Sequence, residues 1–444
     1  MSMDPAALAD RLGRWSAGRG PLYLLLAARL RRLIDEGELA PGTALPPDRA
    51  LAAALTVARG TVVAAYEELR REGRIRRRQG SGTRVAGPVR PGPRESTGAP
   101  VFLHLLEPRD DVVLLACAAP DAPPPALPAA YERALARLRE VTGDIGYHPL
   151  GHVRLRRAVA EHYARRGVPT EPDQVLVTNG GQQALALLAR AFVGPGGTAL
   201  VEAPTYPGAL EAFREQAAAV RTLPVGLDGF GRAVRDRGRR PDLAYVAATH
   251  HNPTGAVLPP LAAYGRTVIS VGSLSKSVWG GLRVGWIRAP RPVVDRLGRL
   301  RAVHDLGGNV AAQLAAAELL PRVESLCADG AADRRARHDH LRTELARRLP
   351  DWQAPPVPGG QTLWVRLPHG DGDSFAQTAL RHGVAVLPGS GLDASGGSRE
   401  FVRIHFLADH ATLTTAAERL ARAWRAYEGG EPDRDTPPSR ALAV

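Results

Sequence analysis

Apolar positions in the first part of the chain repeat at helical spacing. They predict an amphipathic helix over about residues 21–37, ended by Pro41-Gly42, and a third helix over about 59–72. Between these two, Asp48 is expected to cap a short second helix. Residues 74–85 have strand-like ends around a glycine-rich turn, as in a β-wing. The apolar residues of the three helices are, in order, Leu22, Leu26, Leu30, Leu33 and Ile34; Leu51, Ala52 and Leu55; and Val62, Tyr66 and Leu69.

The pattern changes in the second part of the chain. Short apolar runs at 174–178, 198–202, 244–247 and 267–271 alternate with helical stretches such as 181–192. This alternation predicts an α/β domain built on a parallel sheet. Between and after the two patterns, Pro, Gly and small polar residues have no apolar period, which predicts a linker and a disordered tail. The predicted organisation is therefore a domain at 1–86, a linker at 87–105, a domain at 106–428 and a tail at 429–444.

Positive charge is concentrated in the N-terminal domain. The chain of 444 residues has a net charge of +13, and residues 1–85 hold 15 arginines against 9 acidic residues. Helix, short turn, helix and basic wing is the layout of a winged helix-turn-helix that binds double-stranded DNA. A protein-interaction module with a solvated basic face is the alternative. The candidate DNA-binding residues are Arg49, Arg59, Gly60, Thr61, Arg77, Gly80 and Gly82.

The amino-acid sequence of this segment resembles the GntR family of DNA-binding domains over its full length. The matching pieces include Pro41-Gly42-Thr43, Leu45-Pro46, Arg59-Gly60-Thr61-Val62 and Gly80-Ser81-Gly82-Thr83. Ala58 departs from the family, which usually has Ser there. The loss of that hydroxyl removes one phosphate contact and is expected to weaken binding without abolishing it.

Composition singles out one residue of the second domain. Lys276 is the only lysine among the 58 basic residues, and the others are arginines. Arginine has no usable lone pair, so a site that needs an amine nucleophile must keep a lysine. Two cysteines exclude a disulfide framework and a cysteine-based zinc finger, and no metal site is predicted. The absence of a signal-peptide core and of a membrane-spanning apolar run predicts a cytoplasmic protein.

The surroundings of Lys276 indicate its chemistry. It follows a buried run, Ser273 and Ser275 flank it, and Arg283 comes seven residues later. This set suits a phosphorylated carbonyl cofactor, which the lysine binds covalently while Ser and Arg hold the phosphate. Asn179-Gly180-Gly181-Gln182 begins a predicted helix, whose amides could cradle a phosphate. Tyr206 is a candidate to stack on a ring, or it is an ordinary core tyrosine.

These motifs resemble those of the fold-type I aminotransferase superfamily, and the resemblance covers nearly all of 106–427. The resemblance makes Lys276 the Schiff-base lysine for pyridoxal 5′-phosphate. It further implies phosphate contacts from Gly181, Gln182, Ser273, Ser275 and Arg283, ring contacts from Asn252 and Tyr206, a contact of Tyr147 with the partner subunit's cofactor, and a carboxylate clamp at Arg403. A GntR module joined by a linker to such a domain resembles the MocR subfamily of regulators.

One expected segment is missing. The superfamily places an aspartate, which keeps the pyridine nitrogen protonated, on a strand between the Asn-Pro-Thr-Gly loop and the lysine. Only 23 residues separate Asn252 from Lys276, and no acidic residue occurs between Asp242 and Asp295. The fold class is therefore predicted to be a winged helix-turn-helix plus a fold-type I α/β domain that lacks an internal strand near Pro260.

Together these features predict a DNA-binding transcription regulator, a homodimer, whose second domain senses pyridoxal phosphate, an amino acid or an amine. An active aminotransferase with a DNA-binding appendage is the first alternative. A regulator with a degenerate cofactor site, including one from a damaged gene, is the second. The missing aspartate favours the regulator over the enzyme.

Overall fold

The chain divides into two compact units, Met1–Ser96 and Thr97–Val444. We describe them from a computed structural model, which covers residues 3–13, 15–16, 21–35, 38–40, 42–71, 74–78, 82–85, 111–194, 196–216, 219–226, 229–235, 240–258, 261 and 268–429. The predicted linker at 87–105, Gly80 and most of the predicted tail lie outside these residues, and the predicted domain boundaries stay predictions.

Four helices and a small sheet form the first unit. Its core contains Leu26 and Leu30 of the second helix together with Leu51, Val62 and Leu69, all with no exposed surface. The bounds predicted for the second and fourth of these helices agree with the structure to within two residues at each end; the third was predicted without bounds, and the first was not predicted. The elements are α1 (Pro5–Leu12), α2 (Leu22–Asp35), β1 (Ala44–Leu45), α3 (Asp48–Leu55), α4 (Arg59–Arg71), β2 (Ile75–Arg78) and β3 (Gly82–Val85).

The wing is a short antiparallel sheet in the order β1-β3-β2. Arg77 on β2 pairs with Thr83 on β3, and Gly82 begins β3. The prediction that Asp48 caps α3 is wrong, because Pro47 occupies the cap position and Asp48 is the first helical residue. An acidic side chain is still favoured there, since the first turn of a helix carries partial positive charge.

The second unit contains both strands and helices, which alternate most regularly from β5 to β8. Its first part contains β4 (Val113–Leu114), α5 (Ala126–Leu138), α6 (Val153–Arg165), β5 (Val175–Thr178), α7 (Gly181–Phe192), β6 (Thr198–Ala203), α8 (Pro207–Glu215), β7 (Ala219–Pro224), α9 (Phe230–Arg235) and β8 (Leu243–Tyr245). Its second part contains β9 (Ser270–Ser273), β10 (Gly285–Arg288), α10 (Arg291–His304), α11 (Val310–Leu319), α12 (Val323–Asp329), α13 (Ala331–Arg348), β11 (Thr362–Arg366), α14 (Gly372–Arg381), β12 (Val384–Ala385), β13 (Leu387–Pro388), β14 (Phe401–His405) and α15 (His410–Glu428).

The central strands are only partly parallel. β6 runs parallel to both β7 and β8, as the alternating pattern predicts. β10 instead lies antiparallel between β5 and β9, which corrects the expectation of a fully parallel sheet. The reason is the short connection from β9 to β10, residues 274–284, because a parallel pairing needs a longer crossover.

The described strands leave a gap where the missing segment was expected. β8 ends the sheet β7-β6-β8 and β9 ends the sheet β5-β10-β9, and no ladder joins them. Of the residues between them, those described, 246–258, 261 and 268–269, include no strand. Pro260 itself lies outside the described part of the chain. The arrangement agrees with the loss of one internal strand.

A C-terminal lobe completes the second unit. Its sheet, in the order β11-β14-β13, packs with α13 and α15 around an aromatic cluster of Trp352, Phe375 and Trp424. This packing fixes β14, which carries Arg403. In neither unit is any helix among the described residues long and apolar enough to span a membrane.

The close packing of β9 on β10 generates a stability prediction. Gly272 lies opposite Trp286, and a Cβ atom at Gly272 would lie 2.3 Å from the indole ring. Because Trp286 is buried and bonded to Tyr163 Oη, the ring has little room to move. We expect Gly272→Ala to lower the free energy of unfolding by about 1–3 kcal/mol.

Urea denaturation followed by tryptophan fluorescence measures this loss. Gly391→Ala is the matched control, since a Cβ atom there meets nothing within 4 Å. Equal denaturation midpoints for the two variants would contradict the packing argument.

Candidate functional site

Lys276 lies in the loop that follows β9. Its amino group contacts a main-chain carbonyl group and lies near an arginine side chain. Nζ donates a 2.5 Å hydrogen bond to the carbonyl oxygen of Ala118. Lys276 as a whole residue is exposed, but protein atoms enclose its amino group. This burial, assisted by the nearby Arg403 guanidinium, lowers the pKa of Lys276 to about 8. The pKa of this lysine is therefore low enough to supply neutral amine near physiological pH.

Arg403 on β14 ties the C-terminal lobe to the loop after β8, which carries Asn252. Its Nη1 donates to Asn252 Oδ1 at 2.9 Å, and Nη2 donates to the carbonyl oxygen of Ala116. Nε is buried without a hydrogen-bond partner, and among the described residues no carboxylate pairs with this guanidinium. Burial lowers the pKa of Arg403 to about 10. A buried cation without a counter-ion favours a bound anion such as a carboxylate.

The start of α7 forms a cradle for a second anion. Gly180 is the cap residue with φ = 82°, a conformation that favours glycine, and no side chain caps the helix. A Cβ atom at Gly180 would lie 2.8 Å from Arg283 Nη2, so the glycine also makes room for that guanidinium. A Cβ atom at Gly181 would meet only Ser273, at 3.8 Å. Uncapped amides at a helix N-terminus attract phosphate.

Hydroxyl and guanidinium groups surround this cradle. Ser273 Oγ lies 3.1 Å from Ser275 Oγ and accepts a hydrogen bond from the Ser275 amide. Arg283, exposed and with a positive φ, donates to the carbonyl oxygen of Asn179 at 2.8 Å. The structure therefore brings the serines, Arg283 and the Gly180-Gly181 turn to one place, as the resemblance implies.

Tyr206 is fixed by a polar contact. Its hydroxyl donates to Gln182 Oε1 at 3.1 Å, and Gln182 Nε2 donates to the carbonyl oxygen of Gly208. Tyr147, in contrast, is 63% exposed. Its predicted contact with the partner subunit's cofactor stays a prediction.

Glu202 and His251 form a buried pair that the sequence analysis missed. Glu202 accepts hydrogen bonds from the amides of Gly226 and Ala247, and its Oε2 lies 3.4 Å from His251 Nε2. Burial alone would raise the pKa of Glu202, but His251 and the two amides together lower it. On its other side, His251 Nδ1 contacts Thr254 Oγ1 at 2.9 Å. The pair therefore braces the loop that carries Asn252.

A second missed network lies behind the phosphate cradle. Asp305 accepts hydrogen bonds from Arg301, Gln183 and Asn179, and Arg301 is fully buried. No short motif marks these residues, because they are 126 positions apart at the widest and meet only through the packing of α10 on α7.

One further group of ligand-type side chains lies near Tyr147. Ligand atoms of Asp144, His148 and His152 lie within 4.8 Å of one another. His152, however, caps α6 by accepting the Arg154 amide at Nδ1. A neutral imidazole has a single nitrogen lone pair, and here that lone pair is already engaged. The arrangement therefore favours a helix cap over a metal ligand.

In the first unit, the predicted DNA-binding residues gather at two helix starts. Arg49 is exposed at the start of α3, and Arg59 and Gly60 are exposed at the start of α4, with Thr61 half-buried beside them. Arg77 lies on β2 and Gly82 begins β3, in the wing. Two helix starts and a wing are the groups through which a winged helix-turn-helix contacts DNA.

Comparisons with known proteins match both units. Residues 22–85 match the family "Bacterial regulatory proteins, gntR family". Residues 118–262 and 242–420 match "Aminotransferase class I and II", in two parts that overlap at 242–262. The match to that family covers more than half of the chain.

Individual relatives include regulators and enzymes. "Probable rhizopine catabolism regulatory protein MocR" of Rhizobium meliloti is 31% identical over 65% of this chain and 69% of its own length. "HTH-type transcriptional regulator TauR" of Rhodobacter capsulatus is 29% identical over 90% of this chain and 96% of its own. The crystal structure of LysN, an α-aminoadipate aminotransferase from Thermus thermophilus, is 26% identical, covers 74% of this chain and 96% of its own, and has a TM-score of 0.64.

The low pKa of Lys276 generates a pH prediction. Attack on an aldehyde needs the neutral amine, so the initial rate of covalent capture of pyridoxal phosphate should rise about tenfold per pH unit and level off above about pH 8. Borohydride reduction at timed intervals, followed by mass spectrometry of the peptide that carries the only lysine, measures this rate.

Arg403→Gln removes the smaller of the two causes and should move the midpoint upward. A rate that keeps rising to the ordinary lysine pKa of 10.5 in the unmodified protein would contradict the burial of this amine.

Proposed function

The chain belongs to the MocR subfamily, in which a GntR DNA-binding unit precedes an aminotransferase class I and II unit, and we propose that it is a transcription regulator whose larger unit binds pyridoxal phosphate and responds to an amino acid or amine. One observation carries this proposal. The same chain joins a unit with exposed arginines at two helix starts to a site with a low-pKa lysine and a buried, unpaired arginine.

The residues around Lys276 fit the phosphate and the aldehyde of pyridoxal phosphate. The uncapped start of α7 and the groups beside it suit the phosphate, and the amine of Lys276 suits the aldehyde. When bound, the cofactor would supply a reactive carbonyl group, from which an incoming amine could displace the lysine. The residues assigned to hold it are Gly181, Gln182, Ser273, Ser275 and Arg283 at the phosphate, Asn252 at the phenolic oxygen and Tyr206 at the ring face.

The side of the ring nitrogen lacks an acidic residue from the expected segment. No Asp or Glu occurs between Asp242 and Asp295. Without a carboxylate partner, nothing in this segment holds a proton on the ring nitrogen, and the cofactor becomes a poor electron sink. This chemistry favours binding and exchange over turnover, and therefore a regulator over an enzyme. The absence of this carboxylate also removes one ion pair that would contribute to cofactor affinity.

Arg403 is the group assigned to recognise the effector. Its guanidinium presents a buried, unpartnered Nε beside the Lys276 amine, so a carboxylate bound there would bring its own α-amino group close to Lys276. A planar fork binds carboxylate in a bidentate manner. An α-amino acid is thus the effector class that uses both groups at once, whereas a simple amine uses only Lys276.

The remaining parts of the proposal concern assembly. Exposed Tyr147 is assigned to the partner subunit's cofactor in a homodimer. A dimer carries two DNA-binding units and so recognises an operator of two half-sites. Access to DNA agrees with the predicted cytoplasmic location.

The cofactor part of the proposal is tested by spectroscopy. The full-length protein with added pyridoxal phosphate should develop a visible absorbance band that dialysis does not remove. Lys276→Ala should lose the band and bind the cofactor at least tenfold more weakly in equilibrium dialysis, since the covalent bond is gone (about 1.4 kcal/mol or more). Absence of the band in the unmodified protein would favour the alternative hypothesis, a regulator with a degenerate cofactor site. Steady turnover of an amino donor with an oxo acid would instead favour the enzyme.

The DNA part is tested with a duplex that the full-length protein enriches from a random library. Arg59→Ala should weaken binding to this duplex by about 10- to 100-fold, because an arginine–guanine contact contributes about 1–3 kcal/mol of discrimination. Arg70→Ala is the matched control, since Arg70 lies at the opposite end of α4 from Arg59 and, like Arg59, pairs with a carboxylate, that of Glu67 at 2.8 Å. Equal losses for the two variants would contradict the assignment of Arg59 to a base edge.

A further inference from the structure

We propose that Asp48 determines DNA sequence specificity by holding the Arg59 guanidinium in one orientation for guanine. This inference rests on the proposed DNA-binding function and adds a residue that does not itself touch DNA. Asp48 is therefore a positioning residue, and its effect must pass through Arg59.

The contact between the two side chains is bidentate on the arginine. Asp48 Oδ2 accepts from Arg59 Nε at 3.0 Å and from Nη2 at 2.9 Å. The other carboxylate oxygen, Oδ1, accepts the amide of Arg49 at 3.1 Å. Both oxygens of Asp48 are thus engaged, so the carboxylate has a fixed direction from which to hold the guanidinium.

This mode of pairing leaves one edge of the guanidinium for DNA. An arginine side chain has five N–H groups in a planar fork. Asp48 takes the edge formed by Nε and Nη2, which leaves the end-on edge formed by Nη1 and Nη2. That edge still presents two parallel N–H groups, which can reach O6 and N7 of a single guanine. The arginine side chain is 52% exposed, whereas that of Asp48 is 14% exposed.

The helix starts explain why a carboxylate belongs at this point. Arg59 is the first residue of α4, where the helix dipole disfavours a cation, and Asp48 offsets that cost. Asp48 is itself the first residue of α3, where the dipole favours an anion. Tyr66 Oη donates to the carbonyl oxygen of Pro46 at 3.0 Å, which fixes the segment just before Asp48.

A purely structural ion pair is the competing explanation. Half-exposed ion pairs contribute little to stability, so loss of this pair should change the unfolding temperature only slightly. A role in recognition predicts instead a change in the ratio of specific to non-specific DNA affinity. The two explanations are therefore separated by measuring this ratio and not by stability.

The experiment uses the full-length protein, the duplex it enriches most from a random library, and a scrambled duplex of the same length. The variants are Asp48→Asn, which keeps an acceptor for the Arg49 amide but loses the charge, Arg59→Lys, which keeps the charge but loses the fork, and the double variant. We expect each single variant to lower the ratio of the two affinities by about 10-fold. Affinity for the scrambled duplex should stay the same or rise, because a side chain at position 59 that keeps its positive charge can still contact phosphate.

The double variant decides whether Asp48 acts through Arg59. If it does, Asp48→Asn has no further effect on the ratio in the Arg59→Lys background. Glu67→Gln is the matched control, since it removes the same charge from an ion pair on α4 with Arg70 and should leave the ratio unchanged.

Two results would overturn the inference: an unchanged ratio in Asp48→Asn, which includes a parallel loss on both duplexes, or additive losses in the double variant. Melting curves of each variant show whether a parallel loss comes from damage to the fold of the unit. If the unmodified protein enriches no duplex, the proposed DNA-binding function fails, and this outcome is distinct from the other two.

Discussion

The burial of the Arg403 guanidinium beside Lys276 is the interaction on which the larger unit depends. Arg403 reaches from β14 to Asn252 and to the carbonyl oxygen of Ala116, so one side chain joins the C-terminal lobe, the loop after β8 and the segment before α5. No carboxylate among the described residues neutralises it. The same cation helps to lower the pKa of Lys276 to about 8, and so a structural tie also prepares the amine for its chemistry.

The short connection between β8 and β9 gives this site a particular character. β8 and β9 end separate sheets, and the shortened connection carries no acidic residue. In the proposed function, groups for the phosphate, the aldehyde and an incoming carboxylate are present, whereas this connection supplies no carboxylate for the ring nitrogen. A site that binds and exchanges ligands without converting them is suited to a regulator, in which ligand binding shifts the balance between two conformations.

Much of this fold could be predicted from sequence because its signals are local. Helical spacing located α2, α3 and α4, and the lone lysine within Ser273-Leu274-Ser275-Lys276 indicated the candidate cofactor site. The antiparallel β10 was missed because strand direction depends on connection length and not on apolar content. The pair of Glu202 and His251 was missed for a different reason, since the two residues are 49 positions apart and meet only in the folded core. Helix α1 was not predicted.

The proposed function requires that ligand binding to the larger unit changes the affinity of the first unit for DNA. The most direct test measures the affinity of the full-length protein for its enriched duplex with and without pyridoxal phosphate, and again with α-amino acids added. The account predicts that affinity changes at least fivefold, about 1 kcal/mol of coupling, and that Lys276→Ala abolishes the change. An affinity that is the same in all conditions, or an equal response in Lys276→Ala, would contradict it.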